Sequence, residues 1–280
     1  MQLIHKGKVK DVYRFDEENY LFHFSNRISA FDVQMKTPIS GKGIILCKFA
    51  EFWFKYLNFK NHMVRVVDED KLVVKKLEII PIECVVRGYL YGTLYERYKK
   101  GLITNLSGRL DLPLPSRLEM RIFDPTTKSD THDRPISESE ILSKKIVNGK
   151  ELDFIKRSSL NLYSMISNLA ENAGFIIADV KFEFGRDPST KDIILADSIG
   201  PDEFRMWQKS KYIEGKIQES YDKQYLRDWL TKIGFKDEVE KFSRFGKKPE
   251  PPDLPVEVVD EILRRYKLAY SVLSDIGLRK

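Results

Sequence analysis

The sequence predicts a chain of mixed α and β structure, in which a small β-rich lobe precedes a larger lobe of helices and strands. Three observations carry this expectation. Short runs rich in β-branched and aromatic residues crowd roughly the first 85 residues. Pro81 splits two apolar runs, and a long amphipathic stretch over residues 151–172 leads into a further strand pair.

Taken in order, residues 9–15 and 20–24 read as strands. A helix is predicted over residues 44–57, because Ile45, Phe49, Phe52, Trp53 and Tyr56 recur at i, i+3, i+4 spacing. The turn that starts it is Ser40-Gly41-Lys42-Gly43, which lacks the spacing of a Walker loop. Strands follow over 63–67, 72–77 and 82–86, with Asp68-Glu69-Asp70 as a hairpin turn. Pro81 has no N–H to give a central ladder, so it marks an edge or crossover and the link between the lobes. Residues 91–100 read as a helix stopped by Gly101. Residues 102–137 are rich in Pro, Ser, Thr and Asp with little periodicity, which predicts a long functional or disordered loop.

In the helix over 151–172, Leu152, Ile155, Leu162, Ile166 and Leu169 form one stripe, and Gly174 is the stop. Residues 175–184 and 193–196 read as strands, joined by a hairpin at 185–189, and 216–232 as a helix. The four prolines in 247–255 predict a stiff linker. Pro255 then opens a last helix with Val259, Ile262, Tyr266, Tyr270 and Leu273 on one face and Gly277 at its end.

A chain of 280 residues suits one large domain or two unequal lobes sharing a cleft. The net charge of +6 fits either a slight basic surface excess or a site that draws in anions. No Lys/Arg block indicates nucleic acid. Cys47 and Cys84 lie in apolar stretches and read as reduced, buried thiols, and no Cys/His spacing suits structural zinc. Residues 1–10 lack the apolar core of a signal peptide. The apolar run 77–86 is too short to span a bilayer, so a cytoplasmic location without a membrane partner is expected.

Asp179-Val-Lys181-Phe-Glu183-Phe carries the strongest chemical pattern. Strand alternation places Asp179, Lys181 and Glu183 on one face and Val180, Phe182 and Phe184 on the other. The charged face is either a solvated sheet surface with a cross-paired lysine or a metal and phosphate site. Asp197, at the end of the next strand, would bring a second carboxylate near Glu183 if the two strands pair as a hairpin. Gly7-Lys8-Val9-Lys10 sets two lysines on one strand face, able to cover a triphosphate or simply to edge a hairpin. Arg87 and Arg205 stand beside small or aromatic residues and fit either phosphate binding or ordinary surface roles. His132, flanked by acids in the long loop, is a candidate site residue.

Together these segments resemble the SAICAR synthetase (phosphoribosylaminoimidazole-succinocarboxamide synthase) family. The resemblance runs through Gly7-Lys-Val-Lys-Asp-Val-Tyr13, Arg27-Ile-Ser-Ala-Phe-Asp32, the stretch Lys76 to Tyr89, Asp179-Val-Lys-Phe-Glu-Phe-Gly185, Leu195-Ala-Asp-Ser, Asp202-Glu-Phe-Arg-Met-Trp207 and Asp222 to Trp229, in the family's order. The Pro-rich linker and last helix resemble its longer members.

The resemblance implies an α+β, SAICAR synthase-like fold. A small antiparallel β-rich ATP-binding lobe (residues 1–81) and a larger α+β lobe (residues 82–280) would hold the active site in the cleft between them. The larger lobe would carry the magnesium and substrate residues and end in the linker and last helix. The implied reaction joins L-aspartate to the carboxylate of carboxyaminoimidazole ribonucleotide (CAIR), converting ATP to ADP and phosphate, with an acyl phosphate as the expected intermediate. The resemblance assigns Lys8 and Lys10 to the ATP phosphates and Lys76, Leu77 and Ile79 to the adenine pocket. It assigns Glu183 and Asp197 to Mg²⁺. Arg87, Thr93, Arg205 and, more weakly, Arg227 would bind the ribonucleotide phosphate. Lys181 would sit by the reacting carboxylate, His132 and Asp133 near the substrate, and Asp32 in a weaker catalytic role. A homo-oligomer is compatible with this reading. The chain departs from the family pattern at Asn26, where Asp is frequent, at Thr93, where Ser is usual, and at Asp124, where Thr is common. The rival readings are a small-molecule or inositol-phosphate kinase on the same architecture and a basic RNA-binding module.

Overall fold

The protein is described over residues 1–103, 106, 111–128 and 133–278 by a computed structural model. It is α+β, with antiparallel sheets. The first sheet is built from β1 (Leu3–Lys6), β2 (Lys10–Arg14), β3 (Asn19–Phe24), β6 (Met63–Asp68) and β7 (Lys71–Lys75), in the order β1-β2-β3-β7-β6. Between β3 and β6 lie the short pair β4 (Ser29–Ala30) and β5 (Val33–Gln34) and the helix α1 (Lys42–Tyr56). The central strands supply the core residues Leu21, Phe22, Phe24, Leu72, Val73 and Val74, whereas the edge strands expose Leu3 and Val64. Ile45, Phe49 and Trp53 of α1 are buried as their spacing requires. A Cβ on Gly43 would meet the Phe24 carbonyl oxygen at 2.3 Å, so only glycine lets the helix start this close to β3.

The second, seven-stranded sheet takes in β8 (Glu78–Ile79), β9 (Ile82–Leu90), β10 (Ser116–Phe123), β11 (Thr126–Thr127), β12 (Phe175–Arg186), β13 (Ile193–Ala196) and β14 (Phe204–Gln208). Strand β9 is flanked by β10 and β12; β12 also pairs with β8, β13 and β14 along different parts of its length. Helix α2 (Gly92–Lys99) follows β9 directly. Helix α3 (Glu138–Ser143) precedes α4 (Gly149–Asn172), which opens on a capping box made by Asn148 and Glu151. Leu152, Ile155, Leu162, Ile166 and Leu169 of α4 are buried. The chain ends in α5 (Gln224–Lys232), α6 (Phe235–Ser243) and α7 (Val256–Gly277). Backbone bonds stitch the two sheets together, from His62 N–H to Leu195 O at 3.1 Å and from Leu195 N–H to Lys60 O at 2.9 Å. Helices α1 and α7 pack face to face, with Phe49 against Tyr270 at 5.4 Å between ring centres.

Several elements differ from expectation, among them short ones such as β1, α3 and β14 that no pattern marked. The segment predicted as an uninterrupted loop contains β10 and β11; the alternation Leu118, Met120, Ile122 was present but stood among prolines and serines. The helix predicted over 216–232 begins only at Gln224, because the Gln218 side chain donates to the Ile213 and Lys216 carbonyls and Ser220 bridges to Trp207. Helix α6, between α5 and the prolines, was not foreseen. Cys47 and Cys84 are free and buried, and burial pushes the Cys47 thiol up to about 12. Among the described residues no helix is long and apolar enough to cross a membrane.

Candidate active site

Two groups of charged side chains meet along one face of β12. The face is largely enclosed: Asp179 and Glu183 are each only 4% exposed, with Lys181 between them partly buried. Glu183 pairs across the ladder with Ala196, which sets Asp197 just beyond it, in the left-handed region at φ 63°. Lys181 donates to Glu183 at 2.9 Å and to Glu83 on β9 at 3.0 Å. Lys128, just after β11, takes the other oxygen of Glu183. Lys10 of β2 reaches across to Asp197 and to Ser198 Oγ, the latter at 3.0 Å. Burial opposes ionisation of Asp197, but Lys10, Lys181 and Lys128 outweigh it and hold the carboxyl below its usual range. Burial likewise opposes the charge on Lys181, and Glu183, Glu83, Asp197 and Glu203 together hold its ammonium well above the ordinary lysine range.

Among the described residues no group of three metal-ligating side chains occurs. Glu183 and Asp197 form a two-carboxylate donor set. Mg²⁺ keeps waters and binds through one or two carboxylates plus substrate phosphates, so this set fits a magnesium ion shared with a nucleotide.

The turn at Gly7, between β1 and β2, connects to this cluster through Lys10. Gly7 N–H donates to Lys10 O at 3.0 Å, and a Cβ there would meet that oxygen at 2.6 Å. Arg27 pins the loop by donating to Gly7 O at 2.9 Å and to Asp11 at 3.1 Å. Lys8 pairs with Asp32 at 2.6 Å, and Lys248 from the Pro-rich segment donates to the Asp32 carbonyl at 2.7 Å. Lys76 lies over the Tyr20 ring at 5.3 Å. A Cβ on Gly185 of β12 would lie 2.7 Å from Leu77 Cβ, and Ile79 is exposed opposite that glycine on β8.

The second group surrounds the start of α2. No side chain caps that helix; Gly92 opens it at φ 56°, and a Cβ there would lie 2.9 Å from Arg205 Nη2. Arg87 donates to Thr93 Oγ1 at 3.0 Å and to Asp124 at 2.6 Å, and faces Asp179 at 3.4 Å. Arg205 also donates to Asp179 and lies over the Tyr91 ring at 5.4 Å. Arg205 and Arg227 converge on Gln224 Oε1, at 3.5 and 3.4 Å. Uncapped N–H groups, a hydroxyl and bidentate arginines are the ingredients of a phosphate-monoester site.

The structure therefore brings Lys10, Lys181, Glu183 and Asp197 together, and separately Arg87, Thr93, Arg205 and Arg227. Lys8 and Asp32 pair with each other. Asp133 is partly buried near the return of the chain to β11, where Thr127 N–H bonds Arg134 O at 2.8 Å. His132 lies outside the described residues. Sequence reasoning missed Glu83, Lys128, Arg97 and Arg27. Glu83 shares a strand face with Arg87, so alternation along 82–90 could have found it; Lys128 had no periodic signal.

Comparison with known proteins gives a consistent result. Residues 3–242 match the sequence model of the SAICAR synthetase family. The chain is 44% identical over 278 residues to the phosphoribosylaminoimidazole-succinocarboxamide synthase of Nitrosopumilus maritimus, covering 99% of this chain and 100% of that protein. It is 38% identical to the enzyme of the same name from Candida maltosa, covering 97% and 94%. Among solved structures it resembles the SAICAR synthase of Saccharomyces cerevisiae complexed with SAICAR, with TM-score 0.82, 33% identity and coverage of 98% and 94%. A SAICAR synthetase in complex with ADP matches with TM-score 0.70, 28% identity and coverage of 88% and 99%.

Proposed function

The chain belongs to the SAICAR synthetase family, and on that premise we propose that it is an ATP-dependent ligase joining L-aspartate to the carboxylate of CAIR. The observation that carries the reading is the presence, along one face of β12, of a lysine–carboxylate cluster and of a group of arginines around the start of α2. The first suits a triphosphate; the second suits the phosphate of a ribonucleotide. Relatives solved with SAICAR and with ADP agree with both ligands.

In this reading Arg87, Thr93, Arg205 and Arg227 hold the ribonucleotide phosphate and so present the CAIR carboxylate to Lys181. Lys8 and Lys10 hold the ATP phosphates, with Asp32 orienting Lys8. Lys76, Leu77 and Ile79 line the adenine pocket. Glu183 and Asp197 hold Mg²⁺, which neutralises phosphate charge when bound. A carboxylate oxygen of CAIR attacks the γ-phosphorus, the bond to the β-phosphate oxygen breaks, and ADP leaves. The aspartate amine then attacks the acyl carbon of the mixed anhydride. Phosphate departs with the C–O bond electrons and the amine gives up a proton. The ammonium groups of Lys10 and Lys181 face the oxygens on which charge develops, and each such contact lowers the barrier by about 3 kcal/mol. His132 and Asp133 are assigned near the substrate by the family resemblance.

The deciding experiment measures ADP release with ATP, Mg²⁺, L-aspartate and CAIR, omitting one component at a time. ADP and the succinocarboxamide are expected together, and only with all four present. ATP consumption without aspartate, leaving phosphate on the product, would replace this reading with a kinase.

A further inference from the structure

The arginines of the anion pocket belong to a longer row of alternating charge. Arg97 of α2 donates to Asp124 at 2.6 Å; Asp124 accepts from Arg87 Nε at 2.6 Å; Arg87 faces Asp179, and Asp179 accepts from Arg205. The reaction gives no role to Arg97, Asp124 or Asp179, and of these Asp124 is the one that accepts from both Arg87 and Arg97, each at 2.6 Å. It is 8% exposed, beside an Arg87 that is 4% exposed. Its own backbone is fixed, with its N–H on Val85 O at 2.8 Å and Pro125 restricting it from the other side.

We propose that Asp124 is a positioning residue that locks Arg87 and the start of α2 into one rigid anion pocket. The inference rests on the assignment of that pocket to the ribonucleotide phosphate. An acceptor on Nε fixes the plane of the guanidinium, which leaves Nη2 on the Thr93 hydroxyl at 3.0 Å and Nη1 turned toward Asp179. Arg97 lies one helical turn beyond Thr93, so the same carboxylate also ties α2 by its side to the end of β10. Three arginines alternate with two carboxylates, which relieves repulsion between the cations yet leaves the row with positive excess for an anion. An arriving phosphate therefore meets donors that need no further ordering.

The test is steady-state kinetics of the full chain with Asp124→Asn and Asp124→Glu, varying CAIR and ATP separately. Asp124→Glu keeps the charge pairing and displaces the carboxylate, so it separates position from charge if the asparagine variant folds poorly. Both are expected to raise KM for the ribonucleotide about tenfold while leaving KM for ATP within about twofold. An unchanged ribonucleotide KM in the folded variants, or an equal rise in both KM values, overturns the proposal. Arg205→Ala, measured alongside, separates the two levels. If it raises the ribonucleotide KM and the Asp124 variants do not, the positioning role falls and the pocket assignment stands. If neither does, the pocket assignment falls as well.

Discussion

Lys181 sits between Glu83 and Glu183, at 3.0 and 2.9 Å, and stays charged although partly buried because the carboxylates around it outweigh desolvation. The same balance works in reverse on Asp197. A cluster of this kind holds both signs of charge in place beforehand, which favours transfer of a phosphoryl group. Glu183→Gln and Asp197→Asn are each expected to lower turnover by at least about 100-fold while leaving the circular dichroism spectrum unchanged. Near wild-type turnover of both at saturating magnesium would remove these carboxylates from the reaction. The alternation of 179–183 made Lys181 and Glu183 visible in the sequence. Lys128 was not visible, because it reaches Glu183 only through the pairing of β11 with β9.

At the scale of elements, the turn joining β12 to β13 is held by Asp187, which accepts from Ser189 and Thr190 N–H at 2.9 and 3.3 Å and from Lys75 at 2.8 Å. The hydrogen bond from Lys75, then the one from Ser189, lowers its carboxyl to about 2. A carboxyl depressed in the folded state contributes stability that is present above its unfolded value, about 3.9, and is lost as pH falls toward the folded one. The difference in urea midpoint between wild type and Asp187→Asn should therefore narrow as pH drops from about 5 to about 2. A constant gap would show that the charge on Asp187 is not what holds the turn. Helix α4 meets the sheet by an equally specific contact. Tyr163 donates to Ile177 O at 2.6 Å, and a Cβ on Gly88 would lie 2.0 Å from that hydroxyl. Gly88→Ala should cost about 2 kcal/mol or more, read as a lowered Tm, since the tyrosine must move and leave a buried carbonyl unpaired. An unchanged Tm would mean that α4 can shift without losing this bond. The long helices and the strands with clear alternation were legible in advance. Strand β10 was not, because its bulge against β9 between Arg117 and Ile122 breaks the face that alternation alone would bury.

Across the whole molecule, Lys42 at the start of α1, Asp202 before β14 and Tyr266 on α7 form a network with almost no solvent contact. Lys42 donates to one oxygen of Asp202 at 2.8 Å and the Tyr266 hydroxyl donates to the other at 2.7 Å, with the lysine and aspartate side chains 0% and 1% exposed. It joins three distant parts of the chain at one carboxylate. Asp202→Ala should cost about 3–5 kcal/mol of unfolding free energy, because it strands a buried ammonium. The double change Lys42→Met with Asp202→Leu should recover part of that loss, since apolar residues replace the Lys42–Asp202 pair while Lys223, 3.9 Å from Asp202, and the Tyr266 hydroxyl lose their partner. Failure of the double variant to recover would show that the network is needed for the arrangement of the three segments and not only for its own neutrality.

The α+β class, the amphipathic faces of α1, α4 and α7, and the row Asp179, Lys181, Glu183 follow from local pattern, because helix and strand periods act over neighbouring residues. Ordered motifs also made the family recognisable before any coordinates. Which charges meet is set by the folded arrangement of the strands. Lys10 and Asp197 stand 187 residues apart in sequence, and Arg87 and Asp179 stand 92 apart. Their contact depends on strand register and sheet order, which no local pattern encodes. Whether a charged strand face is solvated or enclosed depends on the elements that come to cover it. Burial was the property the sequence left open, and burial is what turns that face into a candidate active site.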